Sequence, residues 1–401
     1  MKQYPNLFSE LTIGKRAVKN RIVLAPMGEG MANPDGSMSE QYIRYYAEFA
    51  KGGCAVITPG VVCVDYPYGK PERSVFRIDT TKNIRDLNRL AERIHGYGAM
   101  LIPQLHHAGG QTDYTLTEGE QPRCVSDMDV DHIIIQLHRP LGPQKELGTE
   151  EVKELVKKFV QAAVHCQMAK CDGVALHSAH GYLLNQFLSP ALNARTDEYG
   201  GCLDNRVRFG VEVIRGIREA CGPGFIIGAR IPGIESIKNA LTNEECDEIA
   251  RRYEAAGCNY LDVSVGAINA FSQAVETEKY AQGNRVHLAE RIKKVVAIPV
   301  GAVGVLREPA FCEALIREGR VDLIYMGRGL IADPYWPEKA RKGRADEIRP
   351  CLSCSDGCAY RMSGTACAVG CAINPMAGRE FDIGPVVKTE KPKKVVVIGG
   401  G

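Results

Sequence analysis

Short apolar runs alternate with amphipathic stretches along most of the 401-residue chain. The runs are too short for helices and are typical of strands buried on both faces, whereas the stretches between them repeat apolar positions with the period of about 3.6 residues that marks a helix. The predicted strands are residues 22–25, 55–58, 100–104, 173–176, 225–229, 260–263, 298–301 and 323–326. The predicted helices are residues 41–51, 82–97, 150–170, 205–220, 243–256, 285–296, 308–318 and roughly 334–342.

This alternation predicts an α/β fold in which eight strands, each followed by a helix, close into a (β/α)8 barrel. A doubly wound open sheet is the alternative that this order of elements leaves open. Two apolar segments at 7–13 and 17–23 predict an N-terminal hairpin, and the alternating run 132–138 predicts another within an insert at 111–148. We expect the barrel domain over 1–345, a cysteine-rich segment over 346–385, and a linker with one further strand over 386–401.

Composition indicates a globular protein and argues against nucleic acid or an anionic membrane as its main partner. Apolar residues make up 45% of the chain and charged residues 24%, and the net charge is +2 without a basic run, which argues against nucleic acid as a partner. No apolar stretch reaches the roughly 18 residues of a membrane span, and the N-terminus lacks a signal-peptide core. We therefore expect a cytoplasmic protein that does not bind membranes, with assembly into a homo-oligomer left open.

The segment after the fourth predicted strand carries the first candidate chemistry. His177, His180 and Tyr182 place two imidazoles and a phenol at the strand's carboxyl end, where barrel enzymes hold their catalytic residues. The imidazoles can hold a substrate carbonyl oxygen, and a tyrosine, whose usual pKa is about 10, can deliver a proton to carbon. A histidine pair at this spacing is also typical of a turn satisfied by the backbone, or of a metal site with two protein ligands.

The residues around this turn resemble the corresponding loop of the old yellow enzyme family of flavin-dependent ene-reductases. The resemblance is closest to the branch that contains 2,4-dienoyl-CoA reductase, clostridial enoate reductases and trimethylamine dehydrogenase, and it runs from Leu7 to the last residue. In this family an N-terminal hairpin caps the bottom of the barrel. The positions that carry the pattern are Tyr182, Leu183, Asn185, Phe187, Leu188, Asn193, Arg195, Asp197, Tyr199, Gly200, Gly201, Asn205 and Arg206.

The resemblance implies FMN as a cofactor, and other predicted strand ends carry residues suited to its ring. Small residues follow the first and second strands, where they let backbone amides approach a flat ring. A glutamine ends the third strand and can both donate to and accept from the pyrimidine edge, while an arginine ends the fifth and can stabilise the anionic reduced ring. Each of these residues, taken alone, is more typical of a structural role. In chain order they are Pro26, Met27, Gly28, Gly60, Gln104 and Arg230.

The FMN phosphate is expected between the loops after the seventh and eighth strands. Val303 and Gly304 precede a predicted helix, and Gly327 and Arg328 follow the eighth strand. Free amides at helix N-termini, together with one guanidinium, would hold the phosphate. A solvated turn is the alternative role for Gly327 and Arg328.

Five of the fifteen cysteines fall within 21 residues, in a segment that begins C-x2-C-x3-C, whereas the other ten are scattered and are typical of buried reduced thiols. Thiolates clustered in this way can hold a [4Fe–4S] cluster; structural zinc is the rival, although zinc sites with four cysteines usually consist of two C-x2-C pairs. The segment resembles the cluster segment of the dienoyl-CoA and enoate reductases. The predicted ligands are Cys351, Cys354, Cys358 and Cys371, with Cys367 as the alternative fourth ligand.

The last residues, KKVVVIGGG, are typical of a strand and the opening of a Gly-rich dinucleotide-binding turn. In the branch that the chain resembles, a region that binds FAD and NAD(P)H follows the cluster. FAD and NAD(P)H are therefore expected only in a longer parent protein.

The function implied by the resemblance is reduction of the C=C bond of an α,β-unsaturated carbonyl compound, such as an enoate, an enone or an enoyl thioester. Electrons would pass from NAD(P)H through the cluster, hydride from FMN N5 would reach the β-carbon, and Tyr182 would protonate the α-carbon. Ile268 stands where dienoyl-CoA reductases have a histidine, and Gly28 stands where trimethylamine dehydrogenase has a flavin-bonding cysteine; both departures disfavour those two reactions. The alternatives are a catalytically idle FMN and iron–sulfur electron carrier, and an amine dehydrogenase of the same branch.

Overall fold

The structure is a computed structural model that describes residues 3–126, 143–267, 271–361, 368–383 and 387–399. A barrel of parallel strands forms its centre, preceded by a short antiparallel hairpin. In chain order the strands are β1 Leu11–Ile13, β2 Arg16–Val18, β3 Ile22–Leu24, β4 Val56–Ile57, β5 Val62–Cys63, β6 Met100–Leu101, β7 Gln104–His106, β8 Arg123–Cys124, β9 Lys145–Glu146, β10 Gly173–His177, β11 Ile226–Pro232, β12 Tyr260–Ser264, β13 Val300–Ala302 and β14 Leu323–Met326.

Backbone pairing closes this barrel. β3 pairs with β4 on one side and with β14 on the other, and parallel pairing continues from β14 back through β13, β12, β11 and β10 to β7. The second barrel strand consists of β4 and β5 and the third of β6 and β7, because Pro59 and Pro103 lack the N–H group that would continue each ladder. The two interrupted strands still pair, since Ile102 N donates to Ile57 O at 3.0 Å. The predicted barrel is confirmed, and the open-sheet alternative is wrong.

The helices follow the predicted positions closely. Clear start signals explain part of this agreement: Ser39 Oγ accepts from Tyr42 N at 3.0 Å at the start of α1, and Thr242 and Glu245 form a capping box on α7. The helices are α1 Glu40–Lys51, α2 Ile84–His95, α3 Thr149–Met168, α4 Leu183–Leu188, α5 Leu203–Arg206, α6 Arg208–Cys221, α7 Asn243–Ala256, α8 Phe271–Ala274, α9 Val286–Lys293, α10 Pro309–Arg317, α11 Arg328–Ala332, α12 Trp336–Arg341 and α13 Glu380–Ile383.

The N-terminal hairpin closes one end of the barrel. Ile13 and Val18 are buried and pack in the same apolar cluster as Val23, Val56 and Ile226, whose side chains lie inside the barrel near the start of its strands. This agrees with the expected cap, and it leaves the carboxyl ends of the strands as the open mouth.

Two predicted elements differ from expectation or fall outside the structure. The alternating run 132–138 lies outside the described residues, and the segments that flank it, β8 and β9, pair in parallel rather than as a hairpin. Residues 387–399 contain no strand, and the apolar side chains of 395–398 are 77%, 77%, 74% and 93% exposed. A strand requires a neighbour to pair with, and this run contacts none within the described chain. Among the described residues, no helix has the length and apolar character needed to cross a membrane.

Candidate active site

The turn after β10 brings the two predicted histidines and the tyrosine together at the mouth of the barrel. His177 is the last residue of β10, and Tyr182 immediately precedes α4. Left-handed backbone at His180 (φ 62°) and Gly181 (φ 72°) folds the chain back, so that the His177 ring lies 5.0 Å from that of His180 and 5.1 Å from that of Tyr182. Gly181 is required here, since a side chain would overlap the amide of Gln111. All three rings line one cavity.

Burial keeps both imidazoles neutral. It lowers the pKa of His177 and of His180 well below the usual value, and neighbouring groups, including the Arg230 cation, lower both further. The His180 Nε2 atom lies 2.8 Å from Ser264 Oγ, whereas His177 Nδ1 has no hydrogen-bond partner among the described residues. A buried polar atom without a partner is costly, and a ligand atom in the cavity would satisfy it.

The residues predicted to contact a flavin ring lie in the same cavity. Pro26, Met27 and Gly28 form part of its wall with Gln104 and Arg230. The Nε2 atom of Gln104 is buried and has no hydrogen-bond partner in the described chain, so its amide is available to a ligand. Arg230 is buried and its Nε lies 2.5 Å from Asp262 Oδ2, which fixes the guanidinium at the mouth. Donors and a cation on one wall of an otherwise largely apolar cavity fit a flavin ring.

Gly60 does not line the cavity. A Cβ atom at this position would overlap the backbone of Met27, and its N–H group donates to Tyr46 Oη at 3.3 Å, away from the cavity. The glycine therefore lets the loop after β4 pack directly behind the loop that carries Met27, and it supports the wall from behind.

The opposite end of the cavity contains the residues predicted to hold a phosphate. Val303, Gly304, Gly327 and Arg328 all line it. Arg328 Nη1 donates to Ser355 Oγ at 3.0 Å and its side chain is 17% exposed, so the guanidinium is partly buried and already has a protein partner. A Cβ at Gly327 would lie 2.7 Å from Met27 Sδ, so this turn also needs glycine.

Two of the amides expected to be free before the helix after β13 already have a partner. Arg307 N and Glu308 N donate to Gln282 Oε1 at 2.9 and 2.8 Å, which caps α10 from a distant loop. At this end the structure therefore offers a phosphate the guanidinium groups and the backbone around Gly304, but not the amides of Arg307 and Glu308.

Several residues that line the cavity were missed in the sequence, and three of them carry polar groups used below. Ser264 ends β12, so the rule that barrel sites lie at strand ends could have identified it. Arg285 and Glu276 lie in the long connection between β12 and β13, and Glu276 Oε1 is 3.0 Å from Arg285 Nε. No periodicity or motif marks these two positions in the sequence.

The four predicted cysteine ligands lie around a second, smaller cavity beside the first. Cys351, Cys354, Cys358 and Cys371 all line it, none forms a disulfide, and Cys367 lies outside the described residues. Among the residues that the structure describes, no three potential ligands approach closely enough to share one metal ion. The segment is held against the barrel mouth by Val369 N, which donates to Glu29 O at 2.9 Å. The four thiols thus surround one space without forming a compact site for a single ion.

Comparison with known proteins agrees with this geometry. The chain is 45% identical over 402 residues to an NADH oxidase from Thermoanaerobacter brockii, covering 100% of this chain and 60% of that protein. It is 37% identical over 419 residues to a cinnamate reductase from Clostridium sporogenes, covering 100% of this chain and 62% of that protein. The chain thus spans about three-fifths of the length of these curated relatives.

A solved structure of 2-naphthoyl-CoA reductase in complex with 2-naphthoyl-CoA is also similar. It superposes with a TM-score of 0.89 at 30% identity and covers 95% of this chain and 58% of that one. The family model described as NADH:flavin oxidoreductase / NADH oxidase matches residues 6–347, which include the whole barrel. From the barrel, the cavity at its mouth and these similarities we conclude that the chain belongs to the NADH:flavin oxidoreductase / NADH oxidase family.

Proposed function

We propose that the chain binds FMN in the cavity at the barrel mouth and reduces the C=C bond of an α,β-unsaturated carbonyl compound. The observation that carries the proposal is that the His177 ring lies 5.0 Å from that of His180 and 5.1 Å from that of Tyr182, in the cavity that Gln104 and Arg230 also line. FMN, when bound, supplies the hydride. The relatives named for cinnamate and 2-naphthoyl-CoA reduction support an activated alkene as the acceptor.

His177 and His180 would hold the carbonyl oxygen of the substrate. Burial favours the neutral form of both imidazoles, and a neutral imidazole retains one N–H group that can donate to the carbonyl oxygen. The unpartnered Nδ1 of His177 is the atom best placed for this role. Tyr182 would deliver a proton to the α-carbon, since its ring packs against that of His177 and lines the same cavity.

The flavin itself would be held by residues at both ends of the cavity. Gln104 and Arg230 would contact the pyrimidine edge of the ring, and the Arg230 cation would stabilise negative charge there. Arg328 would pair with the phosphate, next to the bare backbone of Gly304. Pro26, Met27 and Gly28 would form the wall behind the ring.

The four cysteines around the second cavity would bind a [4Fe–4S] cluster. Four thiols that line one cavity fit a [4Fe–4S] cluster, and the C-x2-C-x3-C spacing favours it over zinc sites, which usually consist of two C-x2-C pairs. We propose that electrons reach the flavin through this cluster and that NAD(P)H and FAD bind to a region present only in a longer parent protein, consistent with the greater length of the relatives.

Anaerobic purification followed by cofactor analysis tests the cofactor proposal. We expect about one FMN and four irons per chain, with iron lost in Cys371→Ser and retained in the control Cys202→Ser, an exposed thiol elsewhere. Zinc in place of iron would reject the cluster.

A reoxidation assay tests the reaction. In one assay the chain is reduced with dithionite and mixed with cinnamates, steroid enones or enoyl-CoA thioesters. In a second assay the oxidised chain is mixed with secondary and tertiary amines. We expect reoxidation by at least one alkene class. Reoxidation by none of them would support the idle electron carrier, and flavin reduction by an amine would support the amine dehydrogenase.

A further inference from the structure

The phosphate end of the cavity contains charges of both signs. Arg285, Arg307 and Arg328 line it, and Glu276 is the one carboxylate among the cavity-lining residues that the structure describes. Glu276 Oε1 lies 3.0 Å from Arg285 Nε, and Glu276 Oε2 lies 3.7 Å from Arg328 Nη2. The Glu276 side chain is 6% exposed. A buried carboxylate therefore bridges two of the three cations.

The carboxylate also lies against the backbone that a phosphate would approach. A Cβ atom at Gly304 would be 3.0 Å from Glu276 Oε1, so the carboxylate lies directly against the bare backbone of this glycine. Gly304 has a φ of 129°, in the region that favours glycine. Glu276 thus occupies the space between two guanidinium groups and a bare backbone, which are the groups that recognise an oxyanion.

A phosphate and the Glu276 carboxylate would compete for these groups. Both are oxyanions that pair with guanidinium, and repulsion between buried like charges is weakly screened. Without a ligand, the carboxylate has a clear benefit, because it supplies a counter-charge to the buried Arg285 and the partly buried Arg328. With FMN bound, the same carboxylate would oppose a dianionic phosphate.

We propose that Glu276 is an internal competitor for the flavin phosphate: its carboxylate pairs with Arg285 and Arg328 in the flavin-free chain and is displaced when FMN binds. The proposal rests on the FMN-binding function proposed above. Riboflavin, which has no phosphate, leaves both ion pairs in place. Glu276 therefore lowers the preference for FMN over riboflavin below the preference that the arginines alone would give.

Flavin titration of the stripped chain tests this. The flavin is removed, and FMN and riboflavin are titrated back while flavin fluorescence is followed. In Glu276→Gln, which keeps the shape but removes the charge, we expect the Kd for FMN to fall roughly tenfold and the Kd for riboflavin to change less than about twofold. Glu278→Gln is the matched control, because Glu278 is an exposed carboxylate in the same loop; its ratio of the two Kd values should equal that of the parent.

A second variant and a melting curve make the result unambiguous. Glu276→Asp keeps the charge on a shorter side chain, so its ratio of Kd values should fall between those of the parent and Glu276→Gln. The flavin-free Glu276→Gln chain should melt below the flavin-free parent, since the buried Arg285 and the partly buried Arg328 lose their carboxylate partner. An equal or smaller preference for FMN in Glu276→Gln would show that the carboxylate supports the arginines for the phosphate, and would overturn the proposal. Failure of the parent to bind either flavin would instead overturn the FMN-binding function, and this inference with it.

Discussion

The two ends of the cavity differ in the charge of their side chains. At the histidine end, His177 and His180 are buried and their pKa values lie well below the usual value, so burial has removed the charge that an imidazole can carry. At the arginine end, Arg285 is buried and Arg328 is partly buried, and the carboxylate of Glu276 lies within ion-pair distance of both guanidinium groups.

Under the proposed function, the histidine end would act on the substrate and the arginine end would hold the cofactor. Neutral donors can stabilise the negative charge that develops on a carbonyl oxygen in the transition state. They bind the uncharged carbonyl of the ground state less strongly. Permanent cations instead bind an anion with equal strength throughout the reaction, which anchors a cofactor without affecting the chemical step. The predictions below separate the two ends, beginning with the change that should have the largest effect.

Tyr182→Phe should cause the largest loss. It keeps the ring and its packing against His177 but removes the proton aimed at the α-carbon, so alkene-dependent reoxidation should fall by about 10²–10⁴-fold. Flavin reduction by dithionite should remain at the parental rate. Tyr253→Phe is the control, because the Tyr253 hydroxyl is buried against Ser178 at 3.2 Å and does not face the cavity. Parental reoxidation rates in Tyr182→Phe with every substrate would assign the proton to another source.

The double change His177→Asn and His180→Asn should reduce the rate by about 10²–10³-fold and also raise KM for the alkene, since the carbonyl loses donors in the ground state and in the transition state. FMN affinity should stay within about twofold of the parent value, because these rings contact the substrate rather than the phosphate. Steady-state kinetics with flavin titration measures both effects. A loss of FMN affinity with unchanged kinetics would show that the histidines act on FMN rather than on the substrate, and would contradict the separate roles of the two ends.

Arg328→Met should weaken FMN binding by about tenfold to 100-fold while riboflavin binding changes little, because the lost hydrogen bonds and charge act only on the phosphate. Ser355→Ala serves as the control, since it removes the 3.0 Å contact between Ser355 Oγ and Arg328 Nη1 but leaves the guanidinium. Equal losses for FMN and riboflavin would place Arg328 away from the phosphate.

The smallest effect concerns pH and the histidine end. Burial lowers the pKa of His106 to about 3 and those of His177 and His180 well below the usual value, whereas an unfolded histidine titrates near about 6.5. The unfolded chain therefore takes up protons first as the pH falls. The contribution of these residues to stability is complete above pH 6.5 and is lost below it, by on the order of 1 kcal/mol per histidine per pH unit.

Urea unfolding of His106→Leu measures this contribution. The free energy of unfolding should depend less steeply on pH between about 6.5 and 5 than in the parent, by close to one proton, or roughly 1.4 kcal/mol per pH unit. The neighbouring carboxylates titrate in both chains, so the difference in slope isolates the imidazole. Identical slopes would mean that His106 is protonated in the folded chain.

The sequence predicted the elements and site residues that are determined locally. His177, Gln104 and Arg230 each end an apolar run, and the closure of the barrel then brings them to one cavity. Gly60 follows the second strand, as predicted, but it packs against the Met27 backbone and does not line the cavity. This contact depends on how two loops stack, which the sequence does not indicate.

Long-range contacts could not be predicted in the same way. Glu276 and Arg285 belong to an irregular connection without a period or motif, and their pairing depends on how that connection folds over the mouth. The amides at the start of α10 were expected to be free, but the side chain of Gln282 reaches them from a loop 25 residues earlier in the chain. Such contacts depend on tertiary placement, which no local pattern encodes.

The exposed run at 395–398 bears on whether molecules of this chain associate with one another in solution. Three valines and an isoleucine in succession have a high propensity to pair edge to edge with the same segment of another molecule. Lys393 and Lys394, directly before the run, oppose this association by charge repulsion. Because salt screens that repulsion over about 10 Å at 0.1 M, the chain should stay dispersed in dilute buffer and self-associate as ionic strength rises.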